Sequence, residues 1–542
     1  MKFTLQELVV VGEVLKCIPI RTPNRIDVIL EYVHTILADV SHNADYNLID
    51  VEINQCEMDR FQITKECLDS IKCFLPQLNE QLKVYHFDGE PIMPTIALPT
   101  TMSCCGKKIK ILGRHATMKL YDISQVRTLL SYHGKCITCK TSYYHGYSER
   151  SDGGRCFNSN VDCDFLMFTS GMAFSTEYLR HVDGMICIGA TTFEEVAGIY
   201  NHTVNKAEDL LNSDRIEAAW YVFRMLEYIT DFLVWPRKSP SHELDVEAMA
   251  KMVYPLIKEK VNKKWIDHVC EEPGCKERAI IIDGNEKLYR FICATERTRV
   301  KGNTGEVNRY EMCVRNPVKG NKTTAASKFC SYHVNSKTSA TEEQIDLRPV
   351  TRLFAQSITQ CETTEEGCKK SKNIEKYYER TAGMFYIFRP CGVRLSHAEM
   401  YTSEACSDVL LLLIDTFGII PDPEVLRLIG YDRVCDLHPF ISRLSREGNT
   451  AAMNYEGLDF VLDAFHAKNH IEKKCSLTSP ECIYHPNLNR YSLYKGMNTQ
   501  IAEQSFNKLN KFKYITRKMS YCRRLLFFKF LDDTCNNNIV KV

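Results

Sequence analysis

The spacing of apolar residues divides the chain into regions of different secondary structure. In the first 93 residues, Leu8, Val11, Leu15 and Ile18 lie three or four positions apart, and the same spacing returns across residues 29–37. Such spacing places apolar side chains along one face of a helix. Residues 1–93 are therefore predicted to form a helical N-terminal region.

The pattern changes near Pro94, where prolines, a cysteine pair and the short apolar alternation 109–112 replace the helical spacing. Residues 94–165 are predicted to form a small cysteine-bearing module. Residues 166–265 again favour helices, because aromatic residues recur in the helical runs 174–179, 193–200 and 218–232.

Strand-like and helical runs alternate in residues 266–535, which favours an α/β fold. The polar stretch 300–339 and the charged stretch that follows are predicted to be an insertion at about 295–380. On the last helix, Ala502, Phe506, Leu509 and Phe512 face one way. The predicted strands are 279–282, a return strand at 288–293, 384–389 and 426–431, and the predicted helices are 404–417 and 499–517. Residues 458–462 form another short apolar run.

Composition narrows the functional classes. Lys and Arg number 69 against 68 Asp and Glu, so any surface for nucleic acid is local. No apolar run approaches the 18 residues of a membrane span, and the first residues do not resemble a secretory signal. The 25 cysteines of a chain expected to be intracellular favour metal ligands over disulfides.

The first candidate zinc site comprises Cys104, Cys105, Cys136 and Cys139. Cys136 and Cys139 form a Cys-x2-Cys knuckle, whereas the adjacent pair is less regular. Either both members of that pair are ligands, or one is, with Cys156, Cys163 or His133 completing the set. Free buried thiols are the alternative.

Two further ligand sets follow in the second half. The second candidate zinc site combines a Cys-x4-Cys pair with a Cys-x2-His pair and a spare cysteine, and the third is either a zinc site or a packed support of the core. The members of the second are Cys270, Cys275, Cys313, Cys330 and His333, and those of the third are Cys435, His438, His466 and His470, with Cys475, Cys482 and His485 nearby.

Three acidic residues have the context of a catalytic centre. Asp283 and Asp432 each directly follow a predicted strand, and Glu503 lies on the last predicted helix. An RNase H-like fold brings two strand-borne acids and one helix-borne acid to one point, where divalent ions drive phosphoryl transfer. Each acid alone is also typical of a turn or a solvated helix face, so their combination carries the hypothesis.

A basic, aromatic-bearing segment follows the third acid closely. Such a cluster favours contact with the phosphate backbone of DNA, although a solvated helix face is the alternative. We found no glycine-rich nucleotide loop, so no nucleotide cofactor is expected. The basic residues are Lys508, Lys511, Lys513, Arg517, Lys518, Arg523 and Arg524.

The chain resembles the KDZ (Kyakuja–Dileera–Zisupton) transposases that carry a cysteine cluster. The resemblance spans about residues 100–530 and rests on many short motifs. These include Cys270-Glu-Glu-Pro-Gly-Cys275, Asp283-Gly-Asn285, Phe329-Cys330-x-x-His333, Arg389-Pro-Cys-Gly-Val393, Thr402-Ser-Glu404, Tyr431-Asp-Arg-Val-Cys435 and Asn498-Thr-x-x-x-Glu503-Gln504.

The resemblance implies a DDE-type DNA transposase with Asp283, Asp432 and Glu503 as its three acids. It further implies an RNase H-like core with a zinc-bearing insertion, structural Zn²⁺, catalytic Mg²⁺ or Mn²⁺, double-stranded DNA as partner and a nuclear location. A homo-oligomer is possible. Two alternative functions are a domesticated or inactive transposase that still binds DNA, and a zinc-stabilised adaptor between proteins.

Overall fold

A computed structural model describes the chain in two compact units, Met1–Met249 and Ala250–Val542. Most of the N-terminal residues and most of residues 293–379 lie outside the described part. The described residues are 95–101, 103–150, 154–158, 164–169, 171–204, 210–229, 232–235, 246–292, 380–400, 404–462, 484 and 496–541, with short strands elsewhere.

The first unit is built on a nine-stranded sheet, with the order β13-β14-β8-β9-β10-β11-β12-β15 and β5 added beside β9. Two long antiparallel strands form its centre, and Met118, Leu120 and Leu129 are buried there. The strands are β5 (Thr95–Ala97), β6 (Ser103–Cys104), β7 (Lys107–Lys108), β8 (Lys110–Tyr121), β9 (Val126–Lys135), β10 (Ser142–Tyr144), β11 (Tyr147–Glu149), β12 (Arg155–Asn158), β13 (Phe165–Thr169), β14 (Met172–Ser175) and β15 (Phe232–Trp235).

Three helices pack with this sheet, and all three begin at side-chain caps, the second at a reciprocal pair of hydrogen bonds between Thr192 and Glu195. Ser175 accepts a hydrogen bond from the Tyr178 amide, and Asn212 accepts one from the Asp214 amide. Each cap satisfies one of the backbone donors left open at a helix start. The helices are α1 (Thr176–Cys187), α2 (Phe193–Val204) and α3 (Ser213–Tyr228).

The sheet continues beyond the small module expected from the sequence. β14 pairs in parallel with β8, and β15 pairs with β12, so strands from residues 165–235 complete it. Phe174 and Phe232, which the sequence pattern assigns to helices, lie in strands. Both belong to strands because their aromatic side chains also suit a pleated sheet.

Residues 1–93 are described only in short strands, and the helices predicted there lie outside the described residues. These strands form two small antiparallel pairs. They are β1 (Lys2–Thr4), β2 (Asp50–Glu52), β3 (His86–Phe87) and β4 (Glu90–Pro91).

The second unit contains a five-stranded mixed sheet with the order β20-β19-β16-β21-β22. Its first three strands in chain order are antiparallel neighbours, and the last two add in parallel on the other side of β16. Every residue of β19 is buried, as expected of a strand covered on both faces. The strands are β16 (Ala279–Asn285), β19 (Gly383–Phe388), β20 (Arg394–Met400), β21 (Leu428–Tyr431) and β22 (Asp459–Leu462), and β17 (Thr298–Val300) and β18 (Arg309–Glu311) form a separate hairpin.

Helices of the second unit carry the apolar faces that cover this sheet. Leu410, Leu413, Phe527 and Phe528 are fully buried. The helices are α4 (Val246–Ile266), α5 (Cys406–Phe417), α6 (Val434–Arg446), α7 (Thr450–Glu456), α8 (Ile501–Leu509), α9 (Lys513–Thr516) and α10 (Tyr521–Lys541), with a 3-10 turn at Asn510–Phe512.

The antiparallel partner of β16 differs from the predicted return strand. Residues 288–292 form no strand, and β19 pairs with β16 instead. Leu288 and Ile292 are buried without extended pairing, so their apolar character reflects packing. The predicted α/β character of this half is confirmed, whereas α10 lies beyond the last helix predicted from the sequence.

Candidate active site and metal centres

Strand register places Asp283 and Asp432 side by side. In the parallel pair of β16 and β21, Ile282 is opposite Tyr431. The residue that follows each of these two is an aspartate. Neighbouring strands lie about 4.8 Å apart. Asp283 is half-buried and Asp432 is 5% exposed. The Gly284 amide donates to Asp283 Oδ1 at 2.7 Å, which orients that carboxylate.

Helix α8 brings the third acid to the same end of the sheet. Glu503 lies in its first turn, and both of its carboxylate oxygens are buried. Ala502, Phe506 and Leu509 are buried on the face that the sequence predicts. The apolar face of α8 therefore anchors a helix whose acid points into the protein.

A fourth acid, Glu404, belongs to this centre and was not among the predicted site residues. It lies just before α5, and a methyl group added to Gly284 would stand 2.0 Å from Glu404 Oε1. Arg433 donates to the Glu404 carbonyl oxygen. The sequence feature that could have identified Glu404 is the motif Thr402-Ser-Glu404. This motif is part of the family resemblance, but nothing in it marks Glu404 as a site residue.

The electrostatics of Asp283 show that the four acids converge. Burial raises the pKa of Asp283 well above its usual range, and the negative charges of Asp432, Glu404 and Glu503 raise it further. Carboxylates close enough to oppose one another's ionisation form a site that a proton or a cation stabilises. The structure therefore brings together the three predicted acids and adds Glu404.

The four cysteines of the first candidate zinc site lie together in the first unit. Their sulfur atoms all lie within 4.8 Å of one another, and Cys104 Sγ stands 3.4 Å from Cys139 Sγ and 3.6 Å from Cys105 Sγ. Ligand atoms of a tetrahedral zinc site are separated by about 3.3–3.8 Å, given zinc bonds of about 2.0–2.3 Å. The donor set thus fits zinc.

Local backbone geometry prepares this thiolate cluster, hereafter the first cluster. Cys105 and Gly106 both have positive φ angles, which turn the chain between β6 and β7. The Lys140 amide donates to the Cys136 carbonyl at 3.0 Å, closing the knuckle. Hydrogen bonds with the side chain and the backbone of Thr141 lower the pKa of Cys139 to about 6, which favours its thiolate near neutral pH.

A second cluster combines His268, Cys270, Cys275 and Cys391. The ligand atoms of His268, Cys270 and Cys391 lie within 4.8 Å of one another. Cys275 forms side-chain hydrogen bonds with Cys391 and Cys270. The hydrogen bond between Cys275 and Cys391 lowers the pKa of Cys391 to about 5. The same hydrogen bond raises the pKa of Cys275.

The remaining predicted zinc ligands are placed only in part. Cys313, Cys330 and His333 lie outside the described residues, as do His466 and His470. On α6, His438 stacks on Phe460 and contacts the Tyr484 hydroxyl at 3.0 Å. Within the described part of the chain, Cys435 and His438 join no metal-sized group, and the third zinc site stays a prediction.

The basic residues after Glu503 divide into surface and buried members. Lys508, Lys511 and Lys518 are exposed, and Lys513, Arg517 and Arg523 are half-buried. Arg524 is fully buried and ion-paired with Glu399, so the prediction that it contacts DNA is wrong. Arg524 lies close in sequence to exposed and half-buried basic residues, so the sequence pattern did not distinguish it from them.

An exposed aromatic ring lies beside two of the half-buried cations. Lys513 Nζ lies 4.6 Å and the Arg517 guanidinium 4.8 Å from the centre of the Tyr514 ring. Tyr514 is 58% exposed. Cations flanking an exposed ring make a surface that suits a polyanion carrying stackable groups.

A mixed sheet bearing four convergent acids, together with cysteine clusters that could hold a metal ion, defines an α/β protein with two kinds of candidate site. Residues 276–538 match the model of the Kyakuja-Dileera-Zisupton transposase family, and residues 90–204 match that of the CxC5-like cysteine cluster associated with KDZ transposases. The chain therefore carries a KDZ transposase domain with its associated cysteine cluster, which confirms the resemblance. No curated protein and no solved structure matches the chain.

The acidic centre lies within the matched transposase region, and the first cluster lies within the matched cysteine cluster. Among the helices that the structure describes, none is long and apolar enough to cross a membrane.

Proposed function

We propose that the chain is a DDE-type DNA transposase whose second unit is an RNase H-like catalytic core. The observation that carries the proposal is the convergence of Asp283, Asp432, Glu503 and Glu404 at one end of the mixed sheet. The family match supports DNA as the substrate and the nucleus as the place of action.

The acids have the chemistry that divalent cations require. Magnesium and manganese prefer carboxylate oxygens, and strand ends hold such groups rigidly. Bound at this centre, two such ions would activate a nucleophile and neutralise the leaving 3′ oxygen during cleavage and strand transfer. The donor set fits these ions because it is all oxygen and strongly negative.

The protein residues contribute position and charge. Adjacent strands fix the spacing of Asp283 and Asp432, the Gly284 amide orients Asp283, and buried packing of α8 directs Glu503. Burial and the charges of the three other acids raise the pKa of Asp283, so a cation bound at this centre would favour its ionised form. Phosphoryl transfer of this type needs no covalent protein intermediate, so positioning and charge suffice.

Substitution of the acids tests the catalytic proposal. Asp283→Asn, Asp432→Asn and Glu503→Gln should each reduce Mg²⁺-dependent cleavage of transposon-end DNA by at least about 100-fold, since even outer-shell changes at metal sites cost 10–100-fold. Glu404→Gln tests whether the fourth acid shares that role. The measurement is single-turnover cleavage at several Mg²⁺ concentrations.

The matched control is Asp459→Asn, which removes an exposed acid from neighbouring β22. It should cleave like the unmodified protein. Unchanged cleavage in Asp283→Asn would contradict the proposal. A wild-type protein that binds DNA but never cleaves it would instead support a domesticated, inactive transposase.

A further inference from the structure

The second cluster joins two segments that are far apart in sequence. His268, Cys270 and Cys275 precede β16, whereas Cys391 lies in the tight turn between β19 and β20. Cys391 Sγ is 3.4 Å from His268 Nε2, a separation expected between two ligands of one zinc ion. The ligand atoms of His268, Cys270 and Cys391 all lie within 4.8 Å of one another, and Cys275 lies beside them, within hydrogen-bonding reach of both other sulfurs.

The backbone around these residues is shaped for thiolates. Amides two residues along the chain, those of Glu272 and Val393, donate to the Cys270 and Cys391 sulfurs. The first cluster repeats this feature, with the Thr141 amide donating to Cys139. Amide donors of this kind stabilise negative sulfur.

The charge around the second cluster also favours thiolates. Arg389 is fully buried, and its guanidinium donates to the carbonyl oxygens of Ala279, Ile266 and Val425. Within the described residues, no carboxylate forms an ion pair with Arg389. Asp267, Cys275 and Cys391 are the negative or ionisable groups near this guanidinium, so a negatively charged metal–thiolate group beside it would be offset.

We propose that His268, Cys270, Cys275 and Cys391 form a Cys3His zinc site. Three soft sulfur ligands and one imidazole suit Zn²⁺ rather than a hard cation. Four protein ligands leave no open coordination position, so the site is structural. Its net charge of about −1, from three thiolates and one Zn²⁺, is offset by Arg389.

This ligand set differs from the one predicted from sequence spacing. Cys270 and Cys275 are shared with that prediction, Cys391 and His268 are added to it, and Cys313, Cys330 and His333 lie outside the described residues. Spacing along the chain could not reveal Cys391, because it reaches the cluster only through the β19–β20 turn.

The site also touches the element that carries Glu503. A methyl group on Gly274 would stand 2.7 Å from Met497 Sδ, and one on Gly392 would stand 3.2 Å from Ile501 Cδ1. Met497 packs in turn against the buried cluster of Ala279, Leu428 and Val461, which includes the first residue of β16. The zinc site thus secures the start of the Asp283 strand against the start of α8.

Metal analysis of the purified full-length protein tests the site. Cys391→Ser and His268→Ala should each lose about one zinc per chain by mass spectrometry of the metal content, because a tetrahedral site lacking one ligand binds weakly. Cys136→Ser should lose a separate zinc from the first cluster. The Cys136→Ser and Cys391→Ser double variant should then lose two.

Cys522→Ser is the matched control, since Cys522 is a buried cysteine of α10 that belongs to neither cluster. It should retain all zinc. Full zinc retention by Cys391→Ser, or a disulfide among Cys270, Cys275 and Cys391, would overturn the proposal. None of these outcomes depends on DNA cleavage.

A conservative variant keeps the test decisive if the others fail to fold. His268→Cys should retain the metal. In its cobalt-substituted form, the thiolate-to-cobalt charge-transfer absorption should be about one third stronger than in the unmodified protein, because three sulfur ligands become four. An unchanged cobalt spectrum would exclude His268 as a ligand.

Discussion

A single buried carboxylate shows how individual residues hold the catalytic unit together. Glu399 on β20 accepts from Arg290 Nε at 2.8 Å and from Arg524 Nη1 at 2.6 Å, and all three side chains are fully buried. Burial alone would raise the pKa of Glu399, but the two guanidinium groups outweigh it and hold the pKa at about 2. The triad joins the segment after β16 to β20 and α10.

We expect Glu399→Gln to lower the free energy of unfolding by about 3–5 kcal/mol, because it leaves two buried cations without their counter-charge. The measurement is urea unfolding at pH 7. Glu424→Gln, which removes an exposed acid paired with Arg427, should change stability by less than about 1 kcal/mol. Equal stability of Glu399→Gln and the unmodified protein would contradict this account.

The same carboxylate sets a pH dependence. Since folding depresses its pKa, its stabilising contribution is complete above the unfolded value of 4.5 and declines as the pH falls towards about 2. The stability difference between the unmodified protein and Glu399→Gln should therefore shrink between pH 5 and pH 3. A constant stability difference between pH 5 and pH 3 would show that the ionisation of Glu399 does not stabilise the folded protein.

At the scale of elements, α8 and the turns after it carry two functions on opposite faces. The buried face positions Glu503, and Lys508 and Lys511 stand on the exposed side. This division follows from helical periodicity, which sequence reasoning reads well. It does not extend to Arg524, because α10 turns that residue into the core.

We expect Lys508→Ala with Lys511→Ala to weaken DNA binding and to reduce the slope of log K against log salt by about 1.8, or roughly 0.9 per lost phosphate contact. Lys508→Arg with Lys511→Arg is the control and should preserve the slope, because it preserves charge. Binding assays over a salt series measure both. An unaltered slope in the alanine variant would show that these lysines form only a solvated face.

At the scale of the whole molecule, metal sites of two chemistries divide the tasks. Thiolates form the clusters proposed to hold zinc, and oxygen donors form the acidic centre. In the second unit, the Cys3His site lies at the start of β16, and Asp283 lies four residues further along it. Four residues of strand span about 13 Å, so zinc there would act on the acids only through β16 and α8.

Loss of that zinc should therefore weaken the acidic centre without touching it. We expect Cys391→Ser to reduce Mn²⁺ affinity about 10-fold, comparable to the loss of an outer-shell support. Titration followed by electron paramagnetic resonance measures this affinity. Cys136→Ser, which alters the other unit's cluster, should leave it unchanged, and equal effects of the two variants would argue for general destabilisation.

The sequence by itself determined the features that depend on local pattern. Periodicity placed α5, the strands 384–388 and 428–431, and the buried face of α8 to within a few residues. The Cys-x2-Cys knuckle with its adjacent cysteine pair named all four members of the first cluster. These predictions succeeded because apolar spacing and ligand spacing are properties of short segments.

Only the tertiary structure decided which distant segments meet. The antiparallel partner of β16 is β19, almost a hundred residues later in the chain. No local sequence pattern predicts that pairing. The same pairing carries Cys391 to His268 and Cys270, and chain folding before α5 brings Glu404 against Gly284. Long-range contacts are selected by burial and register across the whole sheet, so composition and spacing could name candidate ligands and acids but could not assemble them.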